Sequence, residues 1–392
     1  MTIPLGSTML EHLTDLEGAV GELANTWHPD DPAYRADVYR QTMMSLSYSY
    51  FAFFHATPEH PDWAPLWNPV FTLQPNPDDL YLYSPIRGDL SYRVSGNRGT
   101  VHILSFTTQR GMSGMVEDFS QIGGHHDLDD QDIVFDANGD FELIFSVERP
   151  AGHSGNWAPI APDATGMMVR MRMYDWAREV DPTLSIECLD PVPPKPRLTP
   201  DEIIARIHEM AKFPARKTRA YYRLQNGVKD RMGFNVFEPV RMPGALTKQV
   251  YWPACFQFDA DEALIIETEI PARAPYWNIQ INDPCFNALE YVYRLSSTNG
   301  AMATLSSDGR LRAVIALEDP GTPNWLDPAG YLEGGIYGRW YDCDSSPTPT
   351  ITRVKLAELR EHLPADTPVV TPEERAVELR TRVRACQRRR RW

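Results

Sequence analysis

At 392 residues the chain is long enough for two packed units or one large double sandwich, so size is no obstacle to a sizeable core. Its 42% hydrophobic and 23% charged residues exclude disordered and fibrous classes. A formal net charge of -15 repels phosphate backbones and anionic lipid, which excludes a general electrostatic drive toward nucleic acid or a membrane surface.

Taken in chain order, the first residues, Met1 to Ser7, lack a basic n-region and an apolar h-region, and no later stretch approaches a membrane span. A cytoplasmic location is therefore expected. Met9, Leu10, Leu13, Leu16, Val20 and Leu23 recur at helical steps, and a second helix follows from an Asp31 cap and Pro32 to about His55, aromatic-rich and expected to be mostly buried. After a connector rich in Pro and Trp, short runs bounded by turn residues predict strands at Leu80 to Ser84, Leu90 to Val94, Thr100 to Phe106, Ile133 to Phe135 and Phe141 to Val147. Pro191 to Pro200 reads as a stiff linker, and Thr199 with Asp201 and Glu202 opens a helix to about Gln225. Strands resume at Gln249 to Trp252, Ala263 to Ile270, Tyr276 to Ile281, Met302 to Leu305, Leu311 to Leu317 and Gly334 to Tyr341, and two short helices close the chain.

The predicted organisation is thus N-terminal helices over 1–60, a first β half over 61–190, a linker and helix over 191–230, a second β half over 231–346 and C-terminal helices with a basic tail over 347–392. The fold class is mostly β with flanking helices (α+β), two related β-sandwich or jelly-roll-like halves. Arg380, Arg382, Arg384 and Arg388 to Arg391 crowd that tail, which marks an anionic partner or, as the favoured reading, a solvated helix end or a contact for a homo-oligomer. Five widely spread cysteines without a Cys-x-x-Cys pair predict reduced thiols.

Two segments resemble each other. Asn138 to Pro150 and Asp308 to Pro320 keep Gly and Pro at a constant offset of 170 residues. Each runs into an Asn-Trp pair, Asn156-Trp157 and Asn324-Trp325, offset by 168, then to Arg172-Met-Tyr-Asp175 and Arg339-Trp-Tyr-Asp342, offset by 167. Upstream, Thr100 to Phe106 pairs with Pro275 to Ile281, which sets His102 opposite Trp277. A turn, an alternating strand and a Trp-anchored return form a unit that buries one face against its copy.

The runs Pro75 to Tyr83, Tyr276 to Gln280, Ser307 to Arg310 and Pro323 to Leu326 resemble the uncharacterised bacterial proteins grouped as domain of unknown function 1214, often paired with family 1254. The resemblance is strongest over Tyr276 to Tyr341 and looser over Asn76 to Arg98. It implies a mostly-β, jelly-roll-like architecture and no settled activity.

Several groups carry candidate chemistry. Asn76, Asp78, Asp79, Tyr81 and Tyr83 combine an Asx-Pro-Asx turn with tyrosines on one strand face; either they cap and pack, or Asp78 or Asp79 acts as base and Tyr81 as acid. Strand alternation sets Trp277 on one face and Asn278, Gln280 and Asn282 on the other, where three amides see water or line a polar ligand site. His102 is the candidate proton-transfer residue, against a core histidine. Trp157 and Trp325 either hold their loops or stack on a ligand. His125 and His126, beside Asp127, Asp129 and Asp130, are the candidate metal ligands, but their spacing fits no standard motif and the stretch reads as a solvated acidic loop. No metal or organic cofactor is expected, since phosphate-loop, nucleophile-elbow and dinucleotide fingerprints are lacking.

Two readings follow. One is a cofactor-independent enzyme, a lyase, isomerase or hydrolase, using acid–base chemistry on a largely apolar small molecule in a cleft between the β halves. The other is a non-catalytic glycan- or ligand-binding module that uses Trp157, Trp325 and the amide row.

Overall fold

The computed structural model describes residues 8–241 and 246–389. The described residues form two compact units, one comprising those up to Thr72, Asp79–Met173 and Val180–Tyr221, the other Leu73–Asp78, Tyr174–Glu179 and those from Tyr222 onward. Two short pieces of the first half of the sequence therefore belong to the second unit.

In the first unit, the expected first helix is a succession of short 3-10 and α turns from Met9 to Asn25. The next helix, Pro32–Tyr50, starts where its cap predicts, with the Asp31 carboxylate accepting from the Ala33 amide at 2.7 Å, and it continues as a π turn to His55. Only one face is buried; Tyr39 and Tyr50 remain 47% and 54% exposed, which corrects the expectation of a mostly buried helix. Strands β1 (Ala64–Pro65), β2 (Asp79–Pro85), β3 (Tyr92–Asn97), β4 (Ile103–Arg110), β5 (Gly123–Asp129), β6 (Asp140–Ser146), β7 (Asn156–Pro159), β8 (Gly166–Arg172) and β9 (Thr183–Cys188) build two sheets, ordered β1-β2-β8-β4-β5 and β7-β6-β3-β9. The helix Pro200–Met232, which belongs to this unit as far as Tyr221, opens with the expected capping box, the Glu202 carboxylate accepting from the Thr199 amide at 2.7 Å.

In the second unit, β10 (Gln249–Gln257), β11 (Glu262–Thr268), β12 (Tyr276–Asn282), β13 (Ser297–Asn299), β14 (Leu311–Ile315), β15 (Trp325–Leu326), β16 (Glu333–Tyr341) and β17 (Thr350–Lys355) are ordered β10-β16-β12-β13 and β15-β14-β11-β17. Side chains from both sheets, including Trp252, Leu264, Trp277, Ala313 and Trp340, share one buried cluster, so the unit is a sandwich. Gly338 lies under the Trp252 ring, where any Cβ would collide with the indole.

Strand for strand, β2-β8-β4-β5 matches β10-β16-β12-β13, and β7-β6-β3-β9 matches β15-β14-β11-β17. The pairs β6·β7 and β14·β15 are both parallel, against antiparallel neighbours. Register agrees too: Arg172 pairs with Asp79 and Ile103, and Arg339 pairs with Tyr251 and Asn278. Asn156 donates to the Val134 and Glu142 carbonyls and accepts from the Val134 amide; Asn324 does the same with Thr304 and Arg312.

Three local expectations change. The acidic stretch His125 to Asp130, read as a solvated loop, lies largely on the strand Gly123–Asp129 paired with β4, while Ile133–Phe135 and Met302–Leu305 are not strands. The sheet-edge strands β9 and β17 add to the predicted set: β9 alternates polar and apolar residues from Thr183 to Cys188, a signal the sequence holds, whereas β17 is largely exposed and alternates less cleanly. The basic tail is not a solvated run: along the helix Pro372–Arg389, Arg375, Arg382 and Arg389 are buried at seven-residue spacing, while Arg380, Arg384 and Arg388 are exposed. Arg390 and Arg391 lie outside the described residues. No described helix is long and apolar enough to cross a membrane.

Candidate functional site

The buried polar centre of the second unit is built on the Asn76-Pro77-Asp78 turn. The Asn76 side-chain oxygen accepts from the Asp78 amide at 3.1 Å, the short-range bond that favours Asx residues in turns. This turn aims the Asp78 carboxylate, 3% exposed, into a ring of donors: Trp176 Nε1 and Asn299 Nδ2, each 2.8 Å from Oδ1, and Tyr276 Oη, 2.5 Å from Oδ2. Asn76 Nδ2 donates to the same tyrosine oxygen at 2.7 Å, and Arg389 Nη1 donates to the Asp78 carbonyl at 2.7 Å. Burial, reinforced by the Asp78 charge, pushes the neighbouring Tyr174 hydroxyl above its ordinary range. That hydroxyl lies against Gly300, where a Cβ would collide with it.

The amide row has the alternation its sequence predicts, with Trp277 in the sandwich core and Asn278, Gln280 and Asn282 on the opposite face. The row is buried, and what it meets is a guanidinium. Arg339, 2% exposed, donates to Gln280 Oε1 at 2.7 Å, to Asn278 Oδ1 at 3.3 Å and to Gln74 Oε1 at 2.9 Å. Asn278 Nδ2 then donates to Asn76 Oδ1 at 2.7 Å, and Gln280 Nε2 donates to Asn282 Oδ1 at 2.9 Å. A continuous hydrogen-bonded path therefore runs from Arg339 through Asn278, Asn76 and Tyr276 to Asp78 and Trp176.

Trp176 is where this network meets open space. A cavity of 560 Å³ lies between the C-terminal helix, the Pro323–Trp325 loop and residues 175–177, and all of its lining residues belong to the second unit. Trp176 and Trp325 are its aromatic walls, with Arg382 and Arg375 stacked on them at 4.6 and 5.5 Å from the ring centroids. Leu295, Met302, Val369 and Ala385 supply apolar surface. Trp325 Nε1 is held by the Ala316 carbonyl at 2.9 Å, so the indole is fixed in place.

The remaining candidate residues lie elsewhere. In the first unit Asp79 forms a bidentate pair with Arg172 at 2.6 and 2.8 Å, both side chains buried. Tyr81 is packed against Trp67 and beneath Arg170, and Tyr83 lines a separate cavity of 580 Å³ beside Met112 and Thr165. His102 is exposed at the start of β4. Trp157 donates to Ser146 Oγ at 2.9 Å and anchors its loop. On β5, His125 pairs with Asp163 at 2.9 Å and falls at a bulge, since Thr108 of β4 pairs with His126 and Gln109 with Gly124. No cluster of three or more His, Cys, Asp or Glu suited to a metal ion occurs among the described residues.

Thus Asn76, Asp78 and Asn278 come together, Gln280 and Asn282 adjoin them, and Trp325 shares the cavity with Trp176. Tyr276, Trp176, Asn299, Arg339 and Arg382 complete the arrangement. The sequence carried a signal for some of these: the Arg-x-Tyr-Asp ending shared by residues 172–175 and 339–342 marks Arg339 and stops one residue before Trp176, and the seven-residue spacing marks Arg382.

Residues 84–177 match the family described as Protein of unknown function (DUF1214). The match covers the end of β2 and strands β3 to β8 of the first unit and runs on into residues 174–177 of the second, upstream of the 276–341 stretch where the sequence resemblance is strongest. No curated protein matches the chain. A crystal structure of an uncharacterised protein from Burkholderia cenocepacia superposes with a TM-score of 0.82 at 27% identity, covering 89% of this chain and 96% of that one. A Vibrio parahaemolyticus crystal structure gives a TM-score of 0.46 at 12% identity over 87% of this chain and 100% of its own.

Proposed function

We propose that this chain, which carries the DUF1214 family over residues 84–177, is a binding module that holds a small, mostly apolar molecule in the cavity walled by Trp176, Trp325 and the C-terminal helix. The observation that carries this reading is the cavity itself. Its 560 Å³ lies within the ~300–1,000 Å³ usual for ligand pockets, and its aromatic walls are fixed by hydrogen bonds from behind. The Asp78 network then has a physical purpose, holding the Trp176 indole with one face toward the cavity. The test is fluorescence titration with the uncharged dye N-phenylnaphthylamine: saturable binding is expected, and Thr381→Trp, which fills the mouth from the helix, should abolish it. Equal binding by that variant would remove the cavity from consideration.

The acid–base enzyme is the second reading, favoured by the 2.5 Å hydrogen bond between Tyr276 and Asp78. It ranks lower because Asp78 accepts from Trp176, Asn299 and Tyr276 together, and neither Asp78 nor Tyr276 lines the cavity. We also infer a cytoplasmic location, which the five free cysteines support. We also infer that one ancestral sheet motif occurs twice, which the matched strand orders support. The copies have diverged in use: Trp157 anchors a loop, whereas Trp325 walls a cavity.

A further inference from the structure

Five charged side chains line the cavity: Asp175, Glu374, Arg375, Glu378 and Arg382. Four are already matched. Asp175 faces Arg178 and accepts from the Ala177 amide, and Glu374 accepts from the Thr371 amide at the start of the C-terminal helix. Arg375 is shared between Asp319 at 2.8 Å and Glu378 at 2.6 Å. Arg382 is different. The residue is 7% exposed, its guanidinium carbon sits 4.6 Å from the Trp176 ring centroid, and it donates to the Tyr291 carbonyl at 2.6 Å, the Ser297 carbonyl at 3.2 Å and Ser297 Oγ at 2.6 Å. All of these acceptors are neutral, and three donations leave two of the guanidinium's N–H groups uncommitted among the described residues. A buried cation is expensive unless a counter-charge meets it, and a cation already desolvated loses little when one arrives.

Building on the binding reading above, we propose that the occupant is an organic acid, an apolar body carrying one carboxylate that accepts from Arg382. The apolar body then lies along Trp325, Leu295 and Met302, while Trp176 packs against the guanidinium in the same cavity wall. Asp78, Glu290 and Glu378 are the more distant carboxylates around Arg382, and they temper its field without replacing a contact ion pair. Glu378 is also engaged by Arg375.

The test is displacement of bound N-phenylnaphthylamine from the full chain by naphthoate and by its methyl ester, which share a ring system and differ in charge. On the unsubstituted protein, naphthoate should displace the dye at a concentration at least about tenfold lower than the ester, as a charge-assisted hydrogen bond predicts. In Arg382→Gln that advantage should shrink to within about twofold. If the ester displaces the dye as well as naphthoate does, or if the variant keeps the advantage, the acid assignment is overturned while the cavity reading stands. If the dye itself fails to bind, the cavity reading falls and the acid assignment with it. The comparison on the unsubstituted protein does not depend on the variant folding.

Discussion

Lys217 shows how far a single buried group departs from its ordinary chemistry. The side chain is fully buried, donates to Thr72 Oγ1 at 2.9 Å and is surrounded by the rings of Tyr48, Phe213 and Tyr221. Burial holds its amine well below the usual lysine value of 10.5. Between the lowered folded value and 10.5 the unfolded chain carries the extra proton, so stability rises with pH across that window and levels off above it. Burial raises Tyr48 and Tyr221, whose stabilising contribution is lost only as the pH climbs past their unfolded value of 10.0. The lysine is read as the difference between the unsubstituted protein and Lys217→Met in urea unfolding from about pH 7 to about pH 9, where the substitution should flatten the slope by up to about 1.4 kcal/mol per pH unit. A slope unchanged by the substitution would show that the amine stays charged in the folded protein. Asp79 gives the complementary case. With Arg172 it forms a buried pair, so Asp79→Asn should cost about 3–5 kcal/mol, read as a lower urea midpoint, whereas replacing both partners by Leu and Met should cost less. None of this was legible in the sequence, because a lysine at a helical step or an Asp in a turn looks the same whether or not it is wet. Asp78 and Asp79 were singled out together, yet one joins the donor ring of the second unit and the other an ion pair of the first.

Elements were more legible than residues. The Asp31-Pro32 and Thr199-Glu202 caps start their helices where the sequence places them, since a cap is satisfied locally and needs no tertiary partner. Central strands such as β12 and β16 were visible from their aromatic and aliphatic residues, β12 by its alternation about Trp277, while the edge strands β9 and β17 were not predicted. The Asn-Trp loops carry a quantitative expectation. Asn156 and Asn324 each bridge a strand and the preceding loop with three hydrogen bonds, so alanine at either site should cost about 2–3 kcal/mol. Similar losses in the two urea titrations are expected; a cost at only one site would mean that the bonds are not equivalent. The C-terminal helix was misread for a reason of scale, because an arginine-rich run signals solvent unless the seven-residue spacing is followed to the tryptophans beneath it.

At the scale of the molecule, mostly-β architecture with flanking helices followed from composition and strand spacing, and the matched strand orders of the two units give it form. The membership of 73–78 and 174–179 in the second unit did not follow, since short returning segments leave no mark in composition. Those two segments bring Asp78 and Trp176 to the candidate site, which is why the sequence pointed to the amide row and Trp325 without the indole that joins them. The most direct measurement is a crystal structure of the protein with N-phenylnaphthylamine bound. Density for the dye between Trp176 and Trp325, under the C-terminal helix, is the predicted result. Dye bound elsewhere, with the 560 Å³ space closed by its own side chains, would contradict the account.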